Sequence, residues 1–232
     1  MSLRIAGLAA LLAACRVSTE SVGTISVTFD FRDAAAAWEP GFAHVAVSQE
    51  ANVEFVADHR PLPEPLGPGR KALYQSGWNV SDDLFMFFKH RVAGLNPGVA
   101  YDATFEVGIV SQAHQGCDVG IGVSVMVKAG ATGVEPQRVA VDGYYVMNVD
   151  IGSGALDGGA AALVLGDIRN GLPGCPSVSP QYAEKTLSSG SATRPITVAE
   201  DGSLWLLIAT DSAFESPHHL YFTTVTVTLR RR

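Results

Sequence analysis

Trp78-Asn79, followed by Ser81-Asp82-Asp83, is the densest group of polar side chains beside an aromatic ring in the sequence. An indole can lie against the apolar face of a sugar while planar amides and carboxylates bond its hydroxyls, so this mixture suits carbohydrate recognition. Asn, Ser and Asp are equally the ordinary residues of a turn leading into a strand. Asp82 and Asp83 also supply hard oxygen ligands. With Asp150, Asp157 or Asp167 brought in by folding they are weak candidates for a structural calcium, although their spacing matches no calcium loop. A second group follows from strand alternation. If Asp83, Phe85, Phe87 and Lys89 share one side, they face Glu106 across a hairpin and lie near Lys128 on another strand, forming either a polar binding surface or an ion-paired outer face. The ligand-binding candidates are therefore Trp78, Asn79, Asp82, Asp83, Lys89, Glu106 and Lys128.

Catalytic signatures are missing. The chain has no Gly-x-Ser-x-Gly elbow, no His-Glu-x-x-His pair and no nucleotide loop. His218-His219 would point to opposite faces of a strand and so could not share a metal. A glycan-active hydrolase stays open as an alternative through two carboxylates drawn from Asp82, Asp83, Glu106 and Asp150. Cys117, with His114 three residues away, would need a free thiol to act as a nucleophile. Neither Cys117 nor Cys175 has a Cys-x-x-Cys partner for zinc, and the simplest reading of the two in an oxidising compartment is one disulfide. It would close a loop of about 59 residues, worth roughly 4 kcal/mol on the chain-entropy account. No catalytic residue is assigned.

The elements that must hold these residues are strands. Among 232 residues, Gly 24 and Pro 12 suit many short strands joined by tight turns, and long Ala/Leu/Glu/Lys-rich helical stretches are missing. Alternation marks Ile25–Phe31, Leu73–Gly77, Tyr101–Ile109, Val119–Val127 and Tyr182–Leu187 as strands. Short strands are expected at 44–47, 53–56 and 161–165, a buried strand around Trp205, and a turn of helix at Asp33–Trp38. Asp142-Gly143 between Val139–Val141 and Tyr144–Val149 signals a type I′ hairpin. Leu84–Phe88 is apolar at five successive positions, and its connection to Tyr101–Ile109 through Gly94-Leu95-Asn96-Pro97-Gly98 reads as a central hairpin. In the last strand Leu220 and Phe222 are out of phase with Val225, Val227 and Leu229, so a one-residue bulge is expected at Thr223-Thr224. The fold class is all-β: a single antiparallel β-sandwich, jelly-roll-like, with long Gly/Pro-rich loops and little helix.

Leu12-Ala13-Ala14-Cys15 closes an apolar core, Ile5–Leu12, that is too short to span a bilayer and resembles the lipobox of bacterial lipoproteins. The resemblance implies lipid on Cys15, a signal peptide at 1–14, a tether at 15–23 and the β-sandwich at 24–232. Ser81–Lys89, Lys128-Ala129-Gly130-Ala131 with Val134-Glu135-Pro136, Met147–Asp150 and Leu165–Ile168 are further similar to runs in uncharacterised secreted or lipid-anchored bacterial proteins. That likeness covers most of 25–170 and implies a galactose-binding-like or carbohydrate-binding jelly roll without an attached activity. A net charge of −7 disfavours nucleic acid, and Arg230-Arg231-Arg232 reads as a solvated tail. The expectation is a lipid-anchored protein of the bacterial cell envelope at the outer membrane, binding a glycan or another envelope component. The alternatives are a partner-binding scaffold subunit of a surface complex and the hydrolase.

Overall fold

The computed structural model describes residues 15–18, 23–67, 69–176 and 180–232. The expected signal segment at 1–14 lies outside these residues. In chain order the strands are β1 (Cys15–Ser18), β2 (Thr24–Asp30), β3 (Glu39–Ala43), β4 (Val45–Ala46), β5 (Val56–Pro61), β6 (Lys71–Trp78), β7 (Leu84–Val92) and β8 (Ala100–Ser111). They continue as β9 (Val125–Thr132), β10 (Arg138–Val141), β11 (Tyr144–Met147), β12 (Ala162–Asp167), β13 (Ala183–Ser188), β14 (Arg194–Thr197), β15 (Leu204–Ser212) and β16 (Pro217–Arg231). The expected tether thus contains β1, which pairs antiparallel with β2.

β16 is the axis of the first sheet. Along one edge it pairs with β6 through residues 217–222 and with β2 through residues 224–230; along the other it pairs with β8. β5 flanks β6, and β13 and β14 flank β8. The second sheet runs β12-β9-β15-β7-β3, and a small sheet runs β10-β11-β4. All pairings are antiparallel. The chain crosses between the two large sheets from β6 to β7, β7 to β8, β8 to β9 and β15 to β16, which is the jelly-roll habit of winding.

Between the sheets lies one main core. Val27, Phe29, Leu73, Phe105, Val107, Ile109, Phe222 and Val227 of the first sheet meet Phe88, Val127, Ala129, Leu206 and Ile208 of the second. The bulge falls where the phase change requires it: the β16–β8 register shifts between Phe222 and Thr224. Leu220, Phe222, Val225, Val227 and Leu229 consequently all reach the core. The Asp142-Gly143 turn also forms, with positive φ of 50° and 79° at the two residues as a type I′ hairpin demands.

Four expectations are corrected. β7 and β8 form no hairpin, because the connection at 93–99 arches from one sheet to the other and lets both strands turn an apolar face to the same core. The strand expected at 119–127 begins only at Val125; Ile121–Ser124 is a helical turn, α1, and Val119 is exposed. Asp33–Trp38 makes turns rather than a helix, Ala36 and Ala37 having positive φ. A 3-10 segment, Val47–Val53, takes up most of the stretch between 47 and 56.

Five successive buried residues in β7 are accounted for by two covers. Leu84, Met86 and Phe88 face inward. Phe85 and Phe87 face outward but pack with Met147, Ile151, Leu207 and Ala209 beneath the segment that follows the β10–β11 hairpin. Gly130 makes this cover possible, since a Cβ there would lie 2.0 Å from the Ala161 carbonyl oxygen.

Candidate functional site

The outer face of the first sheet carries a row of aromatic side chains. In β6 the alternation that buries Leu73, Gln75 and Gly77 turns Tyr74, Ser76 and Trp78 outward. Opposite them on β16, inward His218 and Leu220 alternate with outward Pro217, His219 and Tyr221. Register places Trp78 beside Pro217, Ser76 beside His219 and Tyr74 beside Tyr221. On the far side of β16, Tyr182 precedes β13 and completes the cluster. Tyr74 and Tyr221 have ring centroids 4.8 Å apart, Tyr74 and His219 5.9 Å, and Tyr182 and His219 6.0 Å. All three pairs are tilted, at separations that aromatic rings prefer.

Polar atoms frame the rings. Tyr182 Oη lies 2.9 Å from His219 Nε2. The Arg60 guanidinium stacks over Tyr74, 3.7 Å from the ring centre, and is paired with Asp58. That arginine holds the Asp58 carboxyl below the usual range, although the pair is largely exposed. Burial pushes the Tyr182 and Tyr221 hydroxyls up. Burial, reinforced by the Arg60 charge, pushes His219 down and keeps its ring neutral at pH 7. At the end of the row Trp78 is 48% exposed and stands over a concavity of about 340 Å³ lined by Glu54, Ser76, Gln112, Pro217 and His219. Ring faces next to amide, hydroxyl, imidazole and carboxylate groups can hold a ligand with alternating apolar and hydroxylated surfaces. Hydrolysis of a glycoside needs two facing carboxyls, and Glu54 is the carboxylate lining this concavity among the described residues.

The residues singled out from sequence scatter around the molecule. Trp78 belongs to the concavity. Asn79, next to it, is fully buried and spent: its amide donates to the Ser212 and Phe214 carbonyls at 2.7 and 3.2 Å, and Oδ1 accepts from the Ser81 amide. Asp82 is an exposed turn residue with φ 59°, and Asp83 lies 3.2 Å from His44 Nδ1. Lys89 is paired with Glu135 and lies 3.7 Å from Glu39, over the Trp205 ring. The surface expected to join Glu106 with Lys89 and Lys128 does not form. Glu106 sits on β8 in the first sheet, whereas Lys89 and Lys128 sit on the outside of the second, and Lys128 is fully buried.

The calcium candidates are also dispersed. Asp150 accepts from the Gly152 and Ala160 amides, which hold its carboxyl below the usual range, and staples its own loop. Asp157 takes the Ser153 hydroxyl, and Asp167 pairs with Arg169 and Lys185. Among the described residues no three His, Cys, Asp or Glu side chains gather as a metal-holding group. Cys117 and Cys175 form the disulfide, with Cα atoms 4.8 Å apart. His218 and His219 point to opposite faces, as adjacent strand residues must.

Sequence reasoning passed over Glu54, Tyr74, Ser76, Gln112, Tyr182 and Tyr221, and weighed His219 only as one of a metal-binding pair. The two-residue period already places Tyr74 on the same side as Trp78. What the period lacks is the register that brings β16 and β13 alongside.

Fold and site together define an antiparallel β-sandwich whose first sheet carries, beside an aromatic cluster packed with Leu62 and Leu66, an exposed Trp78 over a polar concavity. The chain matches no protein-family model and no curated protein sequence. Among solved structures it is similar to a carbohydrate-binding module of the beta-sandwich superfamily, with 9% identity, 86% of this chain and 71% of that chain covered, and a TM-score of 0.37. A second is TmCBM61 in complex with beta-1,4-galactotriose, with 10% identity, 83% and 88% covered, and a TM-score of 0.31. A third is the enzymatically active domain of bacteriophage CBA120 tailspike protein 4, with 9% identity and a TM-score of 0.34; 85% of this chain is covered but only 20% of that one. Overlays this loose transfer neither ligand nor activity.

Proposed function

We propose that the chain is a non-catalytic binding module that takes a glycan on the outer face of its first sheet. Trp78 supplies the stacking surface, and Glu54, Ser76, Gln112 and His219 bond hydroxyls. The observation that carries this reading is the half-exposed indole standing over a polar concavity of about 340 Å³. Large apolar side chains are normally withdrawn from water, and a Trp left at the mouth of a polar hollow is placed to meet a ligand with both kinds of surface. A partner-binding scaffold would be favoured by an exposed apolar patch at the outward Phe85 and Phe87 of β7, and both are covered, with 0% and 3% exposure.

Lipid on Cys15 and an outer-membrane position in the bacterial envelope complete the proposal. The apolar run ending in Leu12-Ala13-Ala14-Cys15 supports them, and the disulfide suits an oxidising compartment.

Screening the full chain against a glycan array, followed by calorimetry on the strongest glycan, tests the binding reading. Trp78→Ala is expected to weaken binding at least tenfold, in line with the about 1.4 kcal/mol that a stacked aromatic contributes, and to leave the unfolding transition in place. Absence of any bound glycan, or full affinity in Trp78→Ala, overturns it. Fatty-acid labelling of the expressed protein, lost in Cys15→Ser, tests the anchor.

A further inference from the structure

The segment that covers the second sheet hides a pair of opposite charges. Lys128 on β9 and Asp211 on β15 are both fully buried, with Lys128 Nζ 2.7 Å from Asp211 Oδ2. Around them on this face lie Phe85, Phe87, Ile151 and Ala209. Nζ is fixed in place by the Ile151 and Gly154 carbonyls, each 2.9 Å away. The carboxylate has less support: among the described residues Lys128 is its one partner, and no other donor reaches either Asp211 oxygen. A fully buried carboxylate with a single charged partner is a costly arrangement, since a buried ion pair repays its desolvation only when the remaining lone pairs are satisfied. Burial pushes the Asp211 carboxyl up against the pull of the Lys128 charge. The other titratable groups facing it are His44 and Asp83.

We propose that Lys128 and Asp211 condense into an intramolecular amide that crosslinks β9 to β15. One proton passes from the lysine nitrogen to the carboxylate, giving a neutral amine and a neutral acid. The amine attacks Cγ, the C–N bond forms, one C–O bond breaks, and the leaving oxygen departs as water with a second proton from nitrogen. Ammonium plus carboxylate becomes amide plus water, so atoms and charge balance without oxidant, reductant or co-reactant. Two buried charges disappear, and the carbonyl-held nitrogen is already at contact distance from the group it attacks. β15 lies between β9 and β7 in its sheet, so the new bond ties the middle of that sheet to its neighbour.

Tryptic mapping of the full chain, denatured and with its disulfide reduced, decides the matter. The amide is expected to block cleavage after Lys128 and to yield one branched product containing Lys128 and Asp211, about 18 Da lighter than its two linear peptides because one water has left. Asp211→Ala should restore cleavage after Lys128, a readout that needs no folded variant because the digest is run on denatured chain. Linear peptides at full mass from the wild-type chain, cut after Lys128, overturn the proposal.

Discussion

Tyr182, just ahead of β13, and His219 on β16 meet with the phenol oxygen 2.9 Å from the imidazole nitrogen, and the contact links the start of β13 to the aromatic row. His219 is neutral at pH 7, so the bond joins two uncharged groups and is worth about 1 kcal/mol. Its role is to fix the imidazole against Ser76 at the edge of the concavity. Tyr182→Phe is expected to lower affinity for a bound glycan about fivefold and to lower stability by about 1 kcal/mol. Calorimetry beside an unfolding curve separates the two effects; an unchanged Kd removes Tyr182 from the site.

Gly130 is a close-approach glycine. An added Cβ would stand 2.0 Å from the Ala161 carbonyl oxygen, and that oxygen belongs to backbone that cannot swing aside. Gly130→Ala is therefore expected to cost about 1–3 kcal/mol or more, as overpacking does, and to lift the 147–161 cover from Phe85 and Phe87. A lowered unfolding midpoint together with increased hydrogen exchange at 148–161 is the expected pattern. Wild-type stability in this variant would contradict it.

His218 predicts the acid limit of the fold. Its ring is buried between the sheets near Thr210, and burial pushes its pKa down to about 4 from 6.5. Between those values the unfolded chain binds a proton that the folded chain does not. The stability present above pH 6.5 is thus lost as pH falls toward 4, by at most roughly 3 kcal/mol from this group. Burial lowers His90 and His219 in the same direction. Urea midpoints at pH 7.5 and pH 4.5 measure the loss, and His218→Gln should flatten part of the slope. An identical slope in that variant would place the effect elsewhere.

Strand phase was legible along much of the chain, because a half-buried strand writes its two faces into alternate residues. That is how the shift between Phe222 and Val225 announced the bulge, and how Asp142-Gly143 announced a hairpin. Partnership between strands was not legible. Leu84–Val92 and Ala100–Ser111 are consecutive and both apolar on the core side, a pattern shared by a hairpin and by an arch between sheets. The aromatic site suffered the same loss, since Tyr74, Tyr182 and Tyr221 become neighbours only through long-range register. Lys128 and Asp211 were hidden for a different reason. Charged residues on an outward face normally meet water, and only the cover laid down by 147–161 makes them interior.

The position of β16 has a consequence for biosynthesis. Among the described strands β2, β6 and β8 share no partner but this one, which comes after all of them in chain order. Until residues 217–231 are available the first sheet has no middle, so its assembly waits for β16 and proceeds through contacts of large sequence separation, the slow kind. The second sheet, closed once β15 inserts between β7 and β9, needs no residue beyond 212 and is then the large unit that an emerging chain can complete first.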